Sequence, residues 1–198
     1  MSIYQHLRQI SSQAIEAARR NPDLAGALLF VGYPEWVLQE PAESDTSDKA
    51  IIERSRAFDA KKHASRMAAF LAGAGLSDID LGPECNLDRT WEELAQVLDA
   101  LAFDGSSNLL RSGGEELGED TGYGPARFFS ATEIAGIHDS VASLDRKRVE
   151  ATITEHAQAY GDQSQGEAVE WLNQTFQKLA HALGDAHERG MGLVVWLA

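Results

Sequence analysis

Apolar positions recur every three or four residues over most of the chain, and in a few short stretches they alternate or run together. Residues 2–10 alternate loosely, with Ile3 and Leu7 on either side of polar Gln5. That pattern is open to a strand or to the first turns of a helix. Ser11 and Ser12 can cap a helix running to Arg20, and Asn21-Pro22 stops it. Pro22 then suits the first turn of a short apolar helix, Asp23 to Phe30. Residues 32–48 mix prolines, serines and charges and read as an exposed loop. Residues 49–72 look helical, with Met67, Phe70 and Leu71 on one side and Gly73 and Gly75 at the end.

A clearer helix starts at Thr90, where Trp91, Leu94, Leu98 and Leu101 fall on one stripe. Residues 104–122 are rich in glycine, serine and acids and are expected to form a long acidic loop. Tyr123–Phe129 reads as a strand, with Pro125 near its start or on an edge. Ser130 and Glu133 have the spacing of a capping box, and Ile134, Ile137 and Val141 follow at helical steps. Asp145 opens another helix that ends near Tyr160-Gly161. Leu172, Phe176, Leu179 and Leu183 mark a strong amphipathic helix closed by Gly190. The run 192–197 is apolar on both alternate faces, which predicts a strand covered on two sides. A sheet with helices on both faces follows, a layered α/β arrangement in one domain spanning 1–198.

Three segments in this order, Asn86-Leu87-Asp88-Arg89-Thr90-Trp91, Gly122-Tyr123-Gly124-Pro125-Ala126-Arg127-Phe128 and Gly190-Met191-Gly192-Leu193-Val194-Val195-Trp196-Leu197, resemble the YfbM-like family, bacterial domains of unknown function. The resemblance implies a three-layer α/β sandwich, a mixed sheet flanked by helices, with strands near 2–9, 123–129 and 192–197. It also decides the first segment as a strand. The family supplies no catalytic residues to carry over. This chain departs from the pattern in an enlarged connection at 36–60 and in lacking an aromatic-proline step near Asp162-Gln163-Ser164.

Charge changes the functional picture. Against 17 Lys+Arg stand 31 Asp+Glu, a net −14 among 198 residues. Such a chain repels the phosphates of nucleic acids and anionic membrane surfaces, so neither is an expected partner. Residues 1–75 balance at 9 acids and 9 bases, whereas 76–125 hold 12 acids against Arg89 and Arg111 alone. If these carboxylates share a face, their field attracts a basic partner; if they are scattered, they only keep the protein soluble. Glu115, Glu116, Glu119 and Asp120 are the expected partner-binding residues. A basic protein such as a cognate toxin, with this chain as its immunity protein, is the expected partner. Oligomeric state is not legible.

Chemistry is sparse by comparison. Cys85 is the lone cysteine, which excludes an intrachain disulfide and fits a reducing cytoplasm. No two histidines have the spacing of a zinc helix, and neither a nucleophile elbow nor a phosphate loop occurs. No catalytic residue, metal or cofactor is expected. Asp120, Tyr123, Arg127 and His138 make the best polar group for a small-molecule cleft, the alternative to protein binding, although pairing of Arg127 with Asp120 or Glu133 to fix the loop is the favoured role of that residue.

Overall fold

A computed structural model describes residues 4–21, 69, 71–76, 80–101, 103, 108–120, 123–161 and 164–197. The expected helix at 23–30 and loop at 32–48 lie outside these residues, as does nearly all of the helix expected at 49–72. The elements are β1 (Gln5–Ile10), α1 (Ser12–Arg20), β2 (Leu81–Asn86), α2 (Trp91–Ala100), β3 (Glu115–Asp120), β4 (Pro125–Phe129), α3 (Ala131–Ala142), α4 (Arg146–Ala157), α5 (Gln165–Glu188) and β5 (Gly192–Leu197).

The strands make one five-stranded sheet in the order β2-β1-β5-β4-β3. It separates two cores. On one face Leu7, Phe129, Leu193 and Val195 pack against Leu94 and Leu98 of α2, Ile134 of α3, Ile153 of α4 and Leu172, Leu179 and Leu183 of α5. On the other, Ile10, Leu117, Phe128, Val194 and Trp196 pack against Ala14, Ile15 and Ala18 of α1 and against Leu71 and Leu76. Alternate residues of β5 thus enter opposite cores, and this is why the whole strand is apolar. Helices lie on both faces, as expected of a three-layer sandwich.

Local signals at the helix ends work as the sequence suggests. Ser11 caps α1 by accepting the Ala14 N–H at 3.1 Å. Ser130 and Glu133 close the capping box: Ser130 Oγ accepts the Glu133 N–H at 3.3 Å, and Glu133 Oε2 accepts the Ser130 N–H at 2.8 Å. Asp145 caps α4.

The sheet departs from expectation in three respects. Its four pairings are all antiparallel rather than mixed. Parallel pairs arise most readily from a single crossover helix, and here three helices separate β4 from β5. Residues 104–122 are not one acidic loop. Asn108–Ser112 form a π-helical turn that buries Leu109 and Leu110, and Glu115–Asp120 form a strand paired with β4. Tertiary pairing overrides the poor strand propensity of the glycine and acids there, with buried Leu117 as the anchor. β2 carries Gly82 and Pro83 and has almost no apolar pattern. It is an edge strand, where proline is tolerated, and its ladder shifts register opposite Arg8 to Ile10. A Cβ on Gly82 would lie 2.5 Å from the Gln9 side chain, so only glycine permits that approach.

Two exposed or half-exposed helix glycines have no such constraint. A Cβ at Gly136 or Gly184 would meet nothing within 4 Å. Gly136→Ala and Gly184→Ala are each expected to stabilise the protein by about 0.5–1 kcal/mol. Thermal denaturation should show a rise of roughly 1–4 °C for each; a fall would mean that the backbone there needs glycine.

Candidate functional site

The acidic residues singled out by sequence lie on β3, at one end of the sheet. Leu117 points into the α1 core, so Glu115 shares that face and Glu116 takes the other. Both are exposed. Arg19 of α1 reaches Glu115, with Nε 3.0 Å from Oε1 and Nη2 2.5 Å from Oε2. The Arg19 hydrogen bond holds the Glu115 carboxyl below its usual range. Glu119 and Asp120 occupy the last two positions of β3, Glu119 within its bulge and Asp120 opposite Pro125. Several of the described acids of 76–125 are already engaged by cations. Glu84, Asp88, Asp99 and Glu115 pair with Arg8, Lys178, Arg111 and Arg19 respectively, and the pleat divides Glu115 from Glu116.

The second predicted group is spread over separate contacts. Arg127 of β4 donates from Nη1 to the Gly113 carbonyl at 2.9 Å and from Nη2 to the Leu109 carbonyl at 3.1 Å. Its guanidinium lies 6.0 Å from the Phe129 ring centroid, and burial lowers its pKa. Through these two carbonyls it fixes the turn before β3. Tyr123 is exposed ahead of β4. His138 of α3 stacks on His187 of α5, with ring centroids 4.5 Å apart, and its Nδ1 lies 3.2 Å from Asp139 Oδ1. The potential ligand atoms of His138, Asp139 and His187 lie within 4.8 Å of one another. The stack joins two helices, so spacing along one helix could not reveal it.

Sequence reasoning missed two polar assemblies. The first is on β1, where Gln5, His6, Arg8 and Gln9 are all buried. Register places Arg8 opposite Glu84 and His6 opposite Trp196. His6 Nδ1 lies 2.7 Å from Glu84 Oε1, Arg8 Nη2 donates to Glu84 Oε2, and the His6 ring stacks on Trp196 at 5.2 Å. Burial pushes the Glu84 carboxyl up, but the His6 hydrogen bond and the Arg8 charge outweigh it and leave the pKa below its ordinary value. On the other face Arg189 donates to Gln9 Oε1 at 2.7 Å, and Gln5 donates to the Leu110 carbonyl at 2.6 Å. With His6 and Arg8 this deeply covered, the cluster ties strands together.

The second assembly is a groove of about 530 Å³ between the turn Asp88–Thr90 and the middle of α5. Tyr4, Asp88, Arg89, Thr90, Trp171, Gln174, Thr175 and Lys178 line it. Arg89 lies 5.8 Å from the Tyr4 ring centroid. Lys178 Nζ lies 2.5 Å from Asp88 Oδ2, and Thr90 Oγ1 lies 2.6 Å from Thr175 Oγ1. Asp88 has φ +57°, and its N–H donates to Asn86 Oδ1 at 2.7 Å. Signals for this groove existed. Arg89 is one of two cations in 76–125, and Trp171 sits just off the apolar stripe of its helix.

Nucleophilic chemistry finds no support at Cys85. Burial pushes its thiol up to about 11, so at neutral pH it is protonated.

A family model described as a domain of unknown function, DUF1877, matches residues 1–196. A crystal structure of YfbM from Escherichia coli, titled a protein of unknown function, is similar at 16% identity and a TM-score of 0.53. The match covers 98% of this chain and 99% of that one. At that identity the likeness concerns the fold. No curated protein matches the chain significantly.

Proposed function

Because the chain belongs to the DUF1877 family, which bears out the YfbM-like resemblance but carries no assigned activity, we propose from its own surface that it is a non-catalytic protein-recognition domain. It docks a basic segment of a partner along the outer edge of β3. The observation that carries this reading is the position of β3: it bonds to β4 on one side, and among the described residues no strand pairs with the other. An open edge offers backbone donors and acceptors to an added strand. The pleat sets Glu115 and Glu116 on opposite faces of that edge, so an incoming strand with Lys or Arg at successive positions meets a carboxylate on each face. Such docking requires no chemistry from this chain. Its finer form is an immunity protein that covers the basic active site of a cognate toxin.

The test is association with a basic toxin encoded in the neighbouring reading frame. Paired Glu115→Lys and Glu116→Lys substitutions should slow association by about ten- to a hundredfold at low salt, with dissociation changed less. Raising salt should slow the wild-type protein towards the variant. Stopped-flow mixing at two ionic strengths reads both. Identical association rates for wild type and variant would remove β3 from the interface.

A further inference from the structure

The chain as a whole is acidic, with 31 acids against 17 bases, yet the groove beside α5 holds two cations and one acid. Lys178 is paired with Asp88, which leaves the Arg89 charge as the local excess. Arg89 lies over the Tyr4 ring, and its Nε and Nη2 are 3.4 and 3.3 Å from the Tyr4 hydroxyl. These are long contacts to a neutral oxygen. A carboxylate offers the same fork two charged acceptors at shorter range. Trp171 lines the groove while remaining 51% exposed, one of three large apolar side chains exposed among the described residues. Half of its surface is therefore available to a second ring.

The floor is built to hold shape. Thr175 donates to the Trp171 carbonyl at 2.9 Å, so the short Thr90–Thr175 contact runs with Thr90 as donor. This chain pins the turn to α5. Asp88 keeps a left-handed backbone that few non-glycine residues adopt, and such strain gathers at ligand sites. The volume of about 530 Å³ lies within the roughly 300–1,000 Å³ of small-molecule sites.

We propose that this groove binds a small aromatic monocarboxylate, with the ring on Trp171 and the carboxylate on Arg89. One unmatched positive charge suits a monoanion. A phosphate dianion would add charge that the acidic surroundings disfavour. This is independent of partner docking at β3, which lies at the opposite end of the sheet from β2.

Calorimetric titration of the intact chain with 2-naphthoate tests it, with acetate, 2-naphthalenemethanol and 2-naphthyl phosphate as comparators. The expected result is saturable binding of 2-naphthoate at least tenfold tighter than any comparator. Arg89→Ala and Trp171→Ala should each weaken it tenfold or more, and Trp171→Phe should recover part of the loss. Both side chains are exposed, so unchanged melting curves will certify the folded variants. Should either variant unfold, the wild-type ranking of acid over alcohol still decides. Equal affinity for acid and alcohol, tighter binding of the phosphate, or no heat at millimolar 2-naphthoate would overturn the proposal.

Discussion

Glu84→Gln is expected to lower the stability of the folded chain by about 2–3 kcal/mol at neutral pH. The substitution keeps the shape of the side chain and removes its charge, so Arg8, 7% exposed at its side chain, loses the opposite charge of Glu84. The cost lies below that of a fully buried pair because the Glu84 side chain retains 21% exposure. The same group predicts an acid limb. Its carboxyl is held below the ordinary glutamate value, so its contribution is complete above that value and disappears as pH falls through the depressed one. Urea unfolding at stepwise lower pH should show the gap between wild type and variant narrowing as acid is added. A gap that stays constant or widens would mean that Glu84 does not hold Arg8 through charge.

Gly192→Ala is expected to cost about 3 kcal/mol or more, through sterics alone. Gly192 pairs with Ile10 of β1 at the start of β5. A Cβ there would press on the Phe129 carbonyl and stand 2.6 Å from Phe128 Cε2. Overpacking against side chains costs about 1–3 kcal/mol, and a backbone carbonyl in a ladder yields less than a side chain. Chemical denaturation measures the loss, with Gly184→Ala as the opposite-signed control. A change under about 1 kcal/mol would show that β4 and β5 can separate locally without penalty.

These two sites also show which features the sequence made legible. β5 was readable because its two faces enter two cores and its apolar run has one structural meaning. Helix starts were readable because capping is local: Ser11, Ser130 with Glu133, and Asp145 each bond within three residues. β2 and β3 were not, because each is an edge strand whose partner supplies the order. Leu117 is the one described side chain of β3 that enters a core, and one apolar residue makes no period. The β1 cluster was hidden for a related reason. Polar residues on a strand read as solvent-facing until register sets Arg8 opposite Glu84, 76 residues away. The groove draws Tyr4, Arg89 and Trp171 from three distant segments, and no spacing along one element could join them.

The sheet order has a consequence for the growing chain. β5 stands between β1 and β4, so among the described strands it is the one that stitches two ribbons, β2-β1 and β4-β3, into a single sheet. Until residues 192–197 emerge from the ribosome, the nascent polypeptide exposes the inner borders of both ribbons, each ready to accept a stranger's strand. Vectorial synthesis thus leaves the two ribbons unjoined until β5 arrives, and a holding chaperone would do most good just before that moment.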